Sequence, residues 1–410
     1  TNSLRTLTTG SNNVAIGDQA LYTTTANENT AVGKAALHYT TTGEKNTGIG
    51  AWAIYNNTIG LNNTAVGYKA MYTNTEGENN VAVGYESLYK NTTADHNTSI
   101  GRQTMYHNST GTQNVAVGNN NLEQNTTGYE NTAIGYNALL ANTEGYYNTA
   151  VGVEALRFST ENPNNTAVGW RALYTNTTGY SNTGIGRSAL YTNGIGIENT
   201  AIGFSAMYDN SSGSKNVAVG QECLKNNETN NLVAMGFQSY YTNTTGTGGV
   251  AIGFKAMYDC TGVNNTAVGY EALFDTSTGV DNTGVGYNAL KANTTGSNNT
   301  AVGDTALDAN TDADGGTAVG HSALMTSSEG DFNTAIGYEA LKWCTGAYNT
   351  AVGKEALVAN TSGEHNVSVG LQSLKANTEG HSNVAVGNYS LEALTTGDYN
   401  VAIGRNALDS

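Results

Sequence analysis

One phrase recurs from end to end of this chain: Asn-Thr-Ala-Val-Gly, a few residues, Ala-Leu, then Asn-Thr-Thr-Gly. Taking the Gly of the first phrase as a marker gives 24 markers, from Gly17, Gly33 and Gly50 to Gly370, Gly387 and Gly404. They stand 17 residues apart in 19 steps and 16 apart in the other four. A unit this short has no room to close a core of its own. It buries its apolar side only against the next copy, which predicts a solenoid. The expected fold is all-β: a parallel β-solenoid or β-roll of about 24 coils, one repeat domain over residues 1–410. At ~4.8 Å per coil it would be a rod of ~115 Å. Rods of this kind hold, space or bind, so neither catalysis nor a cofactor is expected.

The repeat overrides the length prior of two or three domains for 410 residues. Gly is abundant at 51 residues, but not at every third position, which excludes collagen. The apolar positions recur too regularly for a disordered chain. The 17 Lys and Arg are scattered through a chain of net charge −16, so no basic face for nucleic acid is expected. No apolar run is long enough to span a membrane. The chain starts and stops mid-repeat, with Leu4 and Gly10 in the slots of a copy lacking its marker. A segment of a longer fibre, or an end-stacking subunit, is the expectation. Cys260 and Cys344 lie five coils apart, ~24 Å by coil spacing, too far for a disulfide; no bridge is expected.

Each repeat position reads as a column. Immediately before the marker stands Val or Ile in every copy but one (Met235); four after it stands Leu, Met or Ile in every copy but one (Tyr240). These two columns are expected to form the core, as in Val66 with Met71 and Val302 with Leu307. Two before the marker stands only Ala, Gly or Ser, implying close approach to the opposite wall or to another chain. Thr or Val three before it completes a short strand. Four before it stands Asn in 21 of 24 copies, including Asn63, Asn80, Asn131, Asn148 and Asn299. These predict a ladder of amides, each bonding the next. The exceptions are Leu232, Gly249 and Gly316. The segment through Ala-Leu-Tyr reads as a second strand in preference to a helical turn.

The phrase Asn-Thr/Val-Ala-Val/Ile-Gly resembles the head repeat of the YadA-like trimeric autotransporter adhesins, as in Asn80-Val81-Ala82-Val83-Gly84 and Asn400-Val401-Ala402-Ile403-Gly404. It is also similar to repeats of phage tail fibres. The resemblance implies a left-handed parallel β-roll, a homotrimer, and binding to host matrix or other surfaces. The coil here is longer than that family's usual repeat and carries added Asn-Thr-Thr-Gly loops. An extracellular or cell-surface fibre or adhesive rod is the expected function, with a tail-fibre shaft as the alternative. An ice-binding solenoid, suggested by the Thr column (Thr30, Thr47, Thr64), is a minor one. The expected partner is the chain itself, as a head-to-tail filament or homotrimer, with glycans or a host surface as further partners.

Three features invite a chemical reading. Nine copies carry a glycosylation sequon at one loop position: Asn91, Asn108, Asn125, Asn176, Asn210, Asn227, Asn243, Asn293 and Asn360. They are expected on an exposed corner, with further sequons at Asn56 and Asn388. Asn310-x-Asp312-x-Asp314-Gly315 matches half a calcium loop, but its closing position is His321, so an acidic turn is the expectation and no metal. Aromatic residues gather one after the marker (Tyr68, Trp170, Phe254, Tyr287) and five after it (Tyr22, Tyr72, Tyr106, Tyr191, Tyr258). They fit either exposed ladders for sugars or a neighbouring rod, or ring packing between coils.

Overall fold

The computed structural model describes residues 3–5, 9–328 and 330–409. It is a parallel β-solenoid in which each coil contributes one short strand, usually of the three residues before its marker Gly, as in Thr64–Val66. The chain packs as two compact units, Thr1–Ser205 with Asp209–Ser212, and Ala206–Tyr208 with Gly213–Ser410. Within the first, strands pair in parallel at repeat register, for example Thr64↔Val81, Ala65↔Ala82 and Val66↔Val83. Within the second the same register holds, as in Thr300↔Thr317, Ala301↔Ala318 and Val302↔Val319. No helix of the described residues is long and apolar enough to cross a membrane.

The marker must be Gly for two reasons. Gly67 has φ +138°, which L side chains rarely adopt, and a Cβ there would lie 2.3 Å from the Gly84 carbonyl oxygen of the next coil. The coils therefore stack backbone on backbone at this corner.

The Ala-Leu-Tyr segment is not a strand, contrary to the sequence expectation. It is a run of turns in which the residues two and four after the marker are left-handed, such as Lys69 (φ 53°) and Met71 (φ 51°). The alternation turns successive peptide groups opposite ways. Lys69 N–H donates back to Ala51 O at 3.0 Å, while Met71 N–H donates forward to Ser87 O at 2.9 Å. A strand pairing follows only locally, in Thr175–Asn176, Thr192–Asn193 and Asp209–Asn210 of the first unit and in Asn226–Asn227 with Thr242–Asn243 of the second.

The core also needs correcting. The Leu column is buried from Leu21 to Leu391, including Met71, Leu156 and Leu307, and opens only at Leu408 in the last coil. The Val/Ile column is not: Ile49, Ile100, Ile134, Ile252 and Val302 are between 37% and 40% exposed. Side chains alternate across a strand, so Asn and Ala face inward and Thr and Val outward. Ala65, Ala82 and Ala167 are fully buried in the place assigned to Val. Their small size answers to the opposite wall. A Cβ at Gly48 would lie 3.3 Å from both Leu37 Cγ and the Ala53 carbonyl, so Ala fits there with little room to spare. Where Ser99 replaces Ala, a polar set forms around it. Ser87 Oγ lies 2.7 Å from Ser99 Oγ, and Ser99 Oγ lies 2.6 Å from Thr104 Oγ1.

Candidate functional site

Two columns of side-chain amides run inside the coils. In the first, four before the marker, Asn63, Asn80, Asn131, Asn148 and Asn299 are all buried. Each amide serves three coils. Asn63 N–H donates to Asn46 Oδ1 at 2.9 Å, Asn63 Nδ2 donates to Gly77 O at 2.7 Å, and Asn63 Oδ1 accepts from Asn80 N at 3.0 Å. The pattern repeats at Asn131, whose N–H donates to Asn114 Oδ1 (2.9 Å), and at Asn148, whose N–H donates to Asn131 Oδ1 (3.0 Å). Asn299 Nδ2 donates to Ala313 O at 2.8 Å, and Asn299 Oδ1 accepts from Gly316 N at 2.7 Å. At Gly316 the side chain is gone, yet its N–H keeps the bond.

The second column lies seven after the marker, and it is not the exposed corner expected for the sequons. Asn91, Asn108, Asn125, Asn176, Asn210, Asn227, Asn243, Asn293 and Asn360 are all fully buried. The Nδ2 atom that would carry a glycan is spent inside the coil. Asn125 Nδ2 donates to Asn108 Oδ1 at 2.7 Å and to Gly128 O at 2.9 Å. Asn91, Asn176 and Asn293 likewise reach the carbonyl three residues on, at 3.1, 2.6 and 2.9 Å. A turn rich in Asn, Thr and Gly reads as a solvent loop, but here the Asn side chain folds inward to satisfy the turn's own carbonyl. Of the other sequons, Asn56 is half-buried and Asn388 exposed.

The three cysteines are free and buried, and two of them belong to these interior columns. Cys260 and Cys344 stand in the second amide column, each in a coil shortened to 16 residues by a loop Cys-Thr-Gly in place of Asn-Thr-Thr-Gly. The shorter loop brings the Gly carbonyl closer in sequence, and Cys344 Sγ donates to Gly346 O at 3.2 Å. Asn360 Nδ2 in turn donates to Cys344 Sγ at 3.2 Å, so the column continues through sulfur. Burial pushes the Cys344 thiol up to about 11 and the Cys223 thiol up to about 12.

The acidic loop does not converge on a cation. Asn310 is buried and donates to Asn293 Oδ1 (2.7 Å), while Asp314 Oδ1 accepts from Ser297 N (2.6 Å). Among the described residues no cluster of three His, Cys, Asp or Glu could hold a metal.

The outer surface carries the aromatic columns. Tyr22, His38, Tyr55, Tyr72, Tyr89 and Tyr106 form one stack in the first unit, with centroids 4.9–5.3 Å apart. Phe237, Phe254, Tyr270 and Tyr287 form another in the second, at 4.9–5.4 Å. Within each stack the inner rings have a ring against both faces, and end rings such as Tyr287 against one. A sugar stacks on an aromatic face, so these columns are packing between coils before they are a sugar platform.

Beside them lies the outward face of the sheet, which sequence reasoning missed. Its two columns are Thr/Val three before the marker and Val/Ile one before it, without a charged residue in any copy. The neighbour of the Thr column on this face is therefore Val/Ile, not a second Thr column. A readable signal existed. The outward column takes β-branched residues in every copy but Met235, whereas the buried column four after the marker takes Leu or Met in every copy but Ile54 and Tyr240. A left-handed residue disfavours β-branching, and an open strand face welcomes it. Compared with known proteins, the chain matches no family model and no curated protein.

Proposed function

We propose that the protein is a structural fibre element or adhesive rod, extracellular or displayed at a cell surface, that assembles with copies of itself rather than catalysing a reaction. The observation that carries this reading is the uncharged outward face of the sheet. Its aliphatic side chains are about two-fifths exposed in many coils, as at Ile134 (40%), Ile185 (38%), Met235 (42%) and Ile336 (41%), and half-buried in others, such as Val66 and Val151. Contiguous apolar surface of this kind marks an interaction site. A second copy fits it best, because its side chains repeat at the same coil spacing and interleave along the whole contact.

Sedimentation of the full chain over a range of concentrations tests the proposal. The natural chain should associate, and Ile134→Lys with Ile252→Lys should make it monomeric while the circular dichroism stays that of the solenoid. A natural chain that stays monomeric at every concentration overturns the reading. The alternative, the shaft of a phage tail fibre, rests on the resemblance of Asn80-Val81-Ala82-Val83-Gly84 and would require a stoichiometry of three.

A further inference from the structure

The tyrosine stack of the first unit is the most regular reactive array on the surface. Tyr55, Tyr72, Tyr89 and Tyr106 stand at one repeat position in consecutive coils, half-buried. Their centroids are 5.1, 5.3 and 4.9 Å apart and their planes within 3°, 4° and 2° of parallel. Backbone bonds beside each ring fix that register. Asn56 N–H donates to Tyr72 O at 3.1 Å, Thr73 N–H to Tyr89 O at 3.1 Å, and Lys90 N–H to Tyr106 O at 3.0 Å. The same pairing recurs in the second unit at Tyr241 with Tyr258 (4.9 Å), and Tyr129 stacks on Tyr146 (4.9 Å) at another repeat position. Solubility alone explains Tyr over Phe at an exposed edge. It does not bring phenols into contact, which the register does.

A phenol that loses one electron and its proton becomes a radical with spin on the ring carbons ortho to oxygen. Two such radicals held together couple through those carbons, and each ring recovers aromaticity by releasing its ortho hydrogen to the phenolic oxygen through solvent. Two tyrosines thus form one carbon–carbon bond and give up two electrons and two protons. One hydrogen peroxide, used by a haem peroxidase in two one-electron steps, accepts them and leaves as two waters. We propose that the Tyr55–Tyr72–Tyr89–Tyr106 column is an oxidative cross-linking site, where peroxidase chemistry joins neighbouring coils of one chain as dityrosine. The link would staple covalently what hydrogen bonds and packing otherwise hold, and it does not depend on self-association.

The test treats the dilute full chain with a haem peroxidase and hydrogen peroxide, then maps peptides by mass spectrometry. Peptides bearing Tyr72 and Tyr89 should be joined with loss of two hydrogens, and dityrosine fluorescence per chain should not change with protein concentration. The double variant Tyr72→Phe, Tyr89→Phe should lose every link in the column. Tyr180→Phe, at a 42% exposed tyrosine outside these stacks, should lose none. Circular dichroism checks that the double variant keeps its fold, and the peptide map of the natural chain stands without it. Links found only between chains, or coupling at Tyr180 as frequent as in the column, overturn the proposal. Sedimentation of the untreated chain reads self-association separately, so the two proposals fail independently.

Discussion

Two stretches solve the same interior differently. From Asn46 to Asn148 both amide columns run unbroken, the second through Asn57, Asn74, Asn91, Asn108, Asn125 and Asn142. Between Asn227 and Asn265 the pattern gives way. Leu232 and Gly249 replace first-column Asn, Cys260 replaces second-column Asn, and Tyr240 replaces the inner Leu. The substitutions are one event in space. A Cβ at Gly249 would lie 2.6 Å from both Cε2 and the hydroxyl of Tyr240, so the missing side chain is the room the ring occupies. The Tyr240 hydroxyl is buried beside the Cys260 thiol, and burial pushes its pKa far up. Backbone pairing survives the change, since Val217 N–H donates to Leu232 O at 2.8 Å and Val233 N–H to Gly249 O at 3.0 Å. The lesson is that the coil demands filled volume and a paired backbone. The amide ladder is one way to supply both, and an aromatic plug is another.

The largest effect should come from forcing one solution onto the other. Gly249→Asn restores the repeat residue but drives it into the Tyr240 ring, and should destabilise by about 3 kcal/mol, as overpacked cores do. Adding Tyr240→Leu should recover most of that loss. A denaturant double-mutant cycle with no coupling between the two sites would break the comparison.

Next comes the regular stretch. Asn148→Leu strands the Asn165 N–H, bonded to Asn148 Oδ1 at 2.9 Å, and the Asn162 carbonyl, bonded to Asn148 Nδ2 at 2.9 Å. It should cost about 1–3 kcal/mol in urea unfolding. The exposed Glu144→Ala should cost under about 0.5 kcal/mol, and equal costs would mean that the ladder contributes nothing.

The smallest effect is a rate. The thiols are buried and mostly protonated at neutral pH, since their raised pKa values leave little thiolate until well above it. Iodoacetamide should leave the native chain unlabelled. In mild denaturant Cys260, beside the plug, should label ahead of Cys344, whose sulfur accepts from Asn360. Equal rates would show the plug to be as tightly held as the ladder.

Much of this was legible in the chain itself. The period, the parallel stack, the buried Leu column and the marker Gly follow from a unit too short to fold alone. What was not legible was direction. Val66 and Ala65 are both apolar, and hydrophobicity alone sends the larger one inside. The strand must put Asn63 inside to pair it, and alternation then carries Ala65 in and Val66 out. The Asn91 and Asn125 turns misled for the opposite reason. Their composition is that of solvent loops, while their polarity is consumed within the turn and by the amide of the adjoining coil.

The Gly67 corner, where a Cβ would strike the carbonyl of Gly84, also bears on how such a chain is inherited. Each coil offers the next the same backbone it receives from the last. A recombination that duplicates or deletes one coil's worth of coding sequence therefore leaves two seams already matched. Length can drift between generations without compensating substitutions almost anywhere along the regular tract. The exception is the seam between Tyr240 and Gly249. Those two residues sit in successive coils, so a crossover that separates them puts the ring against an Asn and should destabilise that seam.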